Sequence, residues 1–471
     1  VNKNLLKNLL SSGMQAVATQ VLGSIFFYIV SLYMSKNNFG ILNWANALSI
    51  FITTILSFGL EQIVIRRIAA SNRSDWAATA FLLHAFAGSV LMLSVLILLK
   101  HLFPLFTSLQ YLPWIFSAQA VLYIGAPLRA FLNAKEQFRP YGIIAIGSNL
   151  AKIILVFIFW EHRQLTIESV INILLICAGF ELIALLLYVQ KNKILQLNLR
   201  ISAYLKLIKE SLPQFTSVIF DSSLSRMDWI LLGIMTTKEL TADYSFAYRA
   251  FEITRLPLMI IAPVILPKFS RMLAASKLDA EKQKIINNLF SVEIFLSICI
   301  PLIFNMLWTP AVTAITQGKY GQSNQESFFI LSLCIPFQFA INLMWTICFS
   351  AKEYIQIRNL TIITAITNII LNLVLIPVAG ANGAAIAFLI STIVQATGFY
   401  ILVKKTTITI SLKSFFILML IAGSCYYFSI LLTNNLLLRV IISLFGYITL
   451  SILFKVIKTE NLKALKSYLY K

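Results

Sequence analysis

The sequence contains no Gly-x-x-x-x-Gly-Lys-Ser/Thr loop, no Cys-x-x-Cys pair and no histidine at metal-ligand spacing. The first absence excludes an ATP-driven pump within this chain itself. Its five cysteines (Cys177, Cys299, Cys334, Cys348 and Cys425) lie singly in apolar runs, where a thiol packs as a small hydrophobe. Its three histidines, His84, His101 and His162, are scattered through the first third of the chain, so no metal and no cofactor is expected. Charge is scarce as well: 12% of residues are charged against 59% hydrophobic, with a mean hydropathy of +0.84. That balance excludes a soluble globular domain with an ordinary surface.

What the chain has is long apolar runs of about twenty residues, such as Ile285 to Trp308. These are membrane-crossing helices, because a transmembrane barrel would show segments of about ten residues alternating in polarity. The first run ends near Met34, is too long for a signal-peptide core and is kept as a span. Hydropathy and breakers predict about fourteen spans, near 14–35, 41–60, 78–99, 112–132, 141–160, 168–189, 213–235, 244–266, 287–308, 327–350, 359–378, 383–403, 414–432 and 436–454. Trp44, Trp76, Trp114, Trp160 and Trp308 fall at predicted ends, where amphipathic rings prefer the interface, and Gly380 to Gly383 reads as a tight outer turn.

Basic residues set the expected orientation. Alternate loops hold 27 Lys and Arg on one side and only Lys36, Lys100, Arg163, Lys238, Lys319 and Arg439 on the other. This places both termini in the cytoplasm and supports an even span count. The loops alone account for the net charge of +20, so topology explains it and no nucleic-acid partner is expected. Basic loops of this kind also suit anionic lipid headgroups.

The segment Phe131 to Arg139, leading into the fifth span, is echoed by Phe349 to Arg358, leading into the eleventh. An echo six spans apart means two parallel six-helix repeats around a central cavity, with a substrate site between them. The expected organisation is an N-lobe at 1–195, a C-lobe at 196–405, and two extra spans with a basic tail at 406–471.

Ten charged residues fall inside spans, and they sum to zero: Arg129, Lys152, Arg226, Arg249 and Arg255 against Glu181, Asp221, Asp228, Glu252 and Glu293. A charge at the centre of a lipid-facing helix costs roughly 2.5–3.5 kcal/mol on insertion scales, so these residues face protein or water. Arg249, Glu252 and Arg255 are spaced by three and climb one helical face, with Glu252 within reach of both guanidiniums. Asp221 and Asp228 share a face, whereas Arg226 is rotated by about 140° from Asp221 and is expected to pair with another helix. Two readings stay open: a buried ion network fixing the helices, or cavity-lining groups that meet substrate or a coupling ion, with Pro257 able to open the eighth span midway.

Lys152 and Glu181 sit at mid-depth in adjacent spans, as a structural pair or as the N-lobe counterpart of the site. Arg129 is expected to snorkel to the cytoplasmic surface, where with Arg66 and Arg67 it could receive a phosphate group. For Arg66 and Arg67 the ordinary reading is orientation. Trp345 and Trp229 either stack on the flat face of a ligand or pack. Asp221, Asp228 and Glu181 are the coupling-ion candidates; Glu252, held by two arginines, would stay ionised.

Several stretches carry a family resemblance: Phe39-Gly40 through Ser57-Phe58-Gly59-Leu60-Glu61 to Arg66-Arg67; Ala242 to Arg249 with Leu256-Pro257 and Pro263 to Pro267; and Asn368 to Pro377 with Gly380 to Ala385. On these the chain resembles the polysaccharide transporters of the multidrug/oligosaccharidyl-lipid/polysaccharide exporter superfamily, and among them the Wzx-type O-antigen repeat-unit flippases. The resemblance implies a transporter without enzyme activity that alternates between inward- and outward-facing states. It would move a polyprenyl-pyrophosphate-linked oligosaccharide across the bacterial inner membrane, with membrane lipids, a polysaccharide polymerase and a chain-length regulator as further partners. A lipid II-type flippase and a cation-coupled multidrug antiporter share the architecture, though the antiporter would predict an acidic surplus in the N-lobe. A membrane-embedded glycan polymerase would need a large outer loop, and the longest here is about eighteen residues, between spans nine and ten.

Overall fold

The computed structural model describes all residues except 1–2, 72–74, 104–106, 162–164, 193–197, 199, 259–265, 267–268, 270–279, 407 and 458–471. The second half of the predicted eighth span, with Pro263, Pro267 and several of the basic loop residues, lies outside the described residues. Among the described residues every regular element is an α-helix. Apolar runs in lipid leave the backbone no other open-chain solution, since each N–H and C=O must be satisfied within its own segment. The chain divides into two compact units, Val1–Phe246 and Ala247–Lys471.

The first unit holds α1 (Lys3–Tyr33), α2 (Lys36–Ser57), α3 (Leu60–Ala70), α4 (Asp75–Leu102), α5 (Thr107–Ala134), α6 (Phe138–Glu161), α7 (Ile167–Lys191), α8 (Ile201–Met235) and the start of α9 (Lys238–Thr254). The predicted second span is two elements. Phe58 and Gly59 both adopt left-handed backbone at φ 49° and 68°, which ends α2 and turns the chain into the short α3. Gly59 is needed for space too, because a Cβ there would lie 2.8 Å from the Phe215 backbone nitrogen. The predicted seventh span starts early: α8 runs straight through Pro213 from Ile201, 35 residues in all. At 1.5 Å per residue it is about 52 Å long, well beyond a bilayer core of about 30 Å. Its first turns therefore project from the membrane and pack on α3 and α4, while its later turns pack on α2.

The second unit holds the end of α9, then α10 (Ala280–Ile315), α11 (Gln325–Ser350), α12 (Tyr354–Val403), α13 (Lys413–Leu432) and α14 (Leu436–Leu453). The 50 residues of α12 contain the predicted eleventh and twelfth spans, separated at Gly380 (φ 52°, ψ −128°). Gly383 completes that turn: a Cβ would meet the Leu375 carbonyl oxygen at 2.1 Å. The last two helices dock on α10. Tyr447 stacks on Phe295 at 5.0 Å and donates to its carbonyl, and Ser291 bonds Ser414.

Among the described residues ten helices are long and apolar enough to cross a membrane. Burial separates central from peripheral helices: 72% of the apolar window of α11 is buried, against 17% in α4 and in α14. Leu91, Ile143, Leu420 and Val378 are widely exposed, an arrangement suited to acyl chains and unfavourable in water. Neither α8, with its three charges between Asp221 and Asp228, nor α9, 17 residues long, is among the ten, and their charges define the candidate site.

Candidate functional site

In the first unit the intramembrane charges choose partners that spacing alone did not indicate. Arg129 turns into the protein and donates to Glu181 at 3.1 Å and to the Leu122 carbonyl at 2.9 Å. It does not snorkel to the surface. Gly125 leaves the room, with its would-be Cβ 3.3 Å from the guanidinium, and the buried Glu181 carboxylate requires a cation. Glu181 is therefore taken, and Lys152 bonds only Asn149 at 3.4 Å, with no carboxylate within ion-pair distance among the described residues.

On α8, Asp221 is exposed whereas Asp228 is fully buried, so the two acids of one helical face occupy different environments. Asp228 accepts from the Tyr244 hydroxyl and from the Trp229 backbone N–H. Arg226 lies over the Trp229 ring at 5.5 Å, a contact within its own helix, and Trp229 is itself buried and has no free face for a sugar. Arg66 is exposed on α3, whereas Arg67 is engaged by Glu210 of α8 and lies over Trp76.

Two clusters that sequence reasoning missed clamp α2 to α8. At one end Lys36 pairs with Asp243 at 2.9 Å, Trp44 donates to the Ile230 carbonyl at 3.2 Å, and Lys238 lies over the Trp44 ring while donating to the Gly233 carbonyl. Burial lowers the pKa of Lys238 from the usual lysine range. At the other end Phe58 stacks on Phe215 at 4.2 Å, and His84 bridges the Tyr204 hydroxyl and the Leu56 carbonyl, each at 2.7 Å. The only early signals were Gly40, Gly59 and Gly233, whose missing side chains allow these approaches.

In the second unit Arg249 and Glu252 form an ion pair at 2.7 Å. Arg255 does not join them. The continuous helix α9 ends at Thr254, and a tight turn follows in which the Arg255 N–H bonds the Glu252 carbonyl, ahead of Pro257. Proline cannot donate and restricts the residue before it, which takes Arg255 off the i+3 stripe. Its guanidinium lies over Phe251 at 5.8 Å, half-buried, with no carboxylate within ion-pair distance among the described residues. Trp345 stacks on Phe349 at 4.8 Å and packs into the apolar core. A cavity of about 330 Å³ is lined by Asn305, Trp308, Gln325, Glu326, Phe329 and Tyr426, a mixed aromatic and amide surface.

Residues 5–273, more than half of the chain, match the family described as Polysaccharide biosynthesis protein. The chain belongs to that family. This polysaccharide biosynthesis protein is similar in structure to a lipid II flippase, MurJ, in an inward closed conformation, with 16% identity, a TM-score of 0.75, and 94% of this chain and 98% of that one covered. It is also similar to the Vibrio cholerae MATE transporter VcmN in its bent form (15% identity, TM-score 0.57, covering 86% and 97%). A third likeness is to a MOP superfamily transporter from Pyrococcus furiosus (12% identity, TM-score 0.60, covering 85% and 95%). No curated protein matches the chain in sequence. The apolar helices and the fold shared with these transporters make it a multi-pass membrane protein.

Proposed function

We propose that this protein translocates undecaprenyl-pyrophosphate-linked oligosaccharide repeat units, of O antigen or another surface polysaccharide, across the bacterial inner membrane. The observation that carries the reading is Arg255, a half-buried cation in a membrane-inserted segment with no acidic partner among the described residues. An unneutralised guanidinium at membrane depth is costly unless an anion visits it, and a pyrophosphate is such an anion. Lys152 offers a second cation in the first unit, bonded to Asn149 and near Glu181 without an ion pair to it. The Arg129–Glu181 pair ties α5 to α7, whereas the Arg249–Glu252 pair lies within α9. Phe329, Tyr426, Asn305 and Gln325 around the cavity suit the apolar faces and hydroxyls of sugars. In this reading lobes at 1–195 and 196–405 alternate in access, with both termini cytoplasmic.

The test is deletion followed by lipid extraction. Accumulated polyprenyl-linked repeat units and lost surface polysaccharide are expected; unchanged surface polysaccharide overturns the proposal. Accumulated lipid II with lysis would instead favour the lipid II reading, which the likeness to MurJ recommends. In complementation, Arg255→Ala should reach the membrane in normal amount yet fail to restore polysaccharide, and Arg255→Lys should restore it in part.

A further inference from the structure

Glu293 stands in the interior of α10, about 20 Å along the axis from the first residue of that helix. It is 5% exposed, and both carboxyl oxygens are buried without a hydrogen-bond partner among the described residues. Its sequence neighbours Phe290, Val292 and Ile294 are buried apolar side chains. The polar groups near it along the helix are committed elsewhere: Ser291 to the Asn287 carbonyl and Ser414, Ser297 to the Ile294 carbonyl, and Tyr447 to the Phe295 carbonyl.

The charges on the elements packed against α10 all lie at helix ends. Glu326 is in the first turn of α11, Lys413 is the first residue of α13, and Arg439 is in the first turn of α14. The other charges on α10 fall within its first five residues. Cys299, Cys348, Cys425, Tyr426 and Tyr447 belong to the same packed cluster.

Among the described residues no donor bonds Glu293 and the charges on the packed helices stand at their ends, and an isolated carboxylate in an apolar interior is far more costly than the neutral acid. An unpartnered acid here is less favourable than the leucine that would fill the same space, so the position keeps a titratable group at a cost in stability. Pro301, two turns further along α10, removes a backbone donor and leaves the helix able to bend there.

We infer that Glu293 is a proton-binding site that couples translocation to the proton gradient. It takes a proton from water when an aqueous path reaches it, carries it occluded in the arrangement seen here, and returns it to water when the opposite path opens. One O–H bond forms and one breaks, and no other reactant is required. The coupling part rests on the flippase reading; the protonation part does not.

The experiment uses the full chain reconstituted in liposomes. Infrared difference spectra should show a protonated-carboxyl band that disappears in Glu293→Gln; a band unchanged by that substitution overturns the inference. Liposomes carrying a pH-sensitive dye and the polyprenyl-pyrophosphate-linked glycan extracted from the deletion strain should show lipid translocation accompanied by proton flux. Glu293→Gln should lose the flux, and Glu293→Asp should recover part of it. Lipid translocation without proton flux in the unaltered protein, or flux undiminished in Glu293→Gln, overturns the inference and leaves the flippase reading intact. Failure of the unaltered protein to move the lipid overturns the flippase reading and the coupling role together, while the infrared band still decides whether Glu293 holds a proton.

Discussion

Gly40→Ala gives a direct measure of how tightly α2 is clamped to the turn between α8 and α9. A Cβ at position 40 would lie 1.9 Å from the Lys238 carbonyl oxygen and 2.7 Å from its carbonyl carbon. Both are backbone atoms, so no rotamer change relieves the clash; the segments must part by about 1 Å or more to reach ordinary contact distance. That displacement loosens the Lys36–Asp243 pair and the seating of Trp44 against Gly233, where a Cβ would fall 2.0 Å from the indole. Overpacking of this kind costs about 1–3 kcal/mol, and losing the Trp44 hydrogen bond to Ile230 adds about 1 kcal/mol. The control is Gly147→Ala, where nothing lies within 4 Å of the added methyl and helix propensity favours alanine by up to about 1 kcal/mol. Thermal unfolding of the detergent-solubilised full chain, followed by size-exclusion fluorescence, should show Gly40→Ala melting clearly below the unaltered protein and Gly147→Ala at or above it. Equal melting of the two variants would refute the clamp.

Three further outcomes follow from the same geometry. Lys36→Asp should destabilise the protein, and adding Asp243→Lys should restore most of the loss in the same melting assay, because the pair is largely buried. Tyr244→Phe removes the hydroxyl that donates to the buried Asp228 and should cost about 1–3 kcal/mol; adding Asp228→Asn should then produce little further loss. Glu210→Gln should weaken the hold of α8 on Arg67, read as a lower midpoint in the same melting assay.

Helix existence was legible because apolar runs have few physical alternatives in lipid, and the turn at Gly380 was legible because glycine marks backbone that other residues resist. Partner choice was not. Spacing places Lys152 and Glu181 at mid-depth and Arg129 near the cytoplasmic end of its span but does not say which side chain finds the space, and the deciding feature was the missing Cβ of Gly125. The Arg249, Glu252, Arg255 stripe assumed a continuous helix, and the turn before Pro257 removed its last member. Lys36 and Asp243 are 207 residues apart, a separation across which no local rule operates.

The Arg129–Glu181 pair separates a framework role from a pathway role. Glu181→Ala alone leaves the largely buried Arg129 guanidinium its bond to the Leu122 carbonyl and the more distant charge of Glu61, and breaking a buried pair in this way costs about 3–5 kcal/mol. Replacing both charges with apolar side chains, Arg129→Met with Glu181→Leu, removes the desolvation penalty along with the attraction and should be close to neutral for folding. If the pair is framework, the double variant inserts and restores surface polysaccharide where Glu181→Ala does not. If either charge contacts the lipid-linked substrate or a coupling ion, the double variant inserts normally and still fails. Because both carboxylate and guanidinium are satisfied within the first unit, the framework outcome is expected.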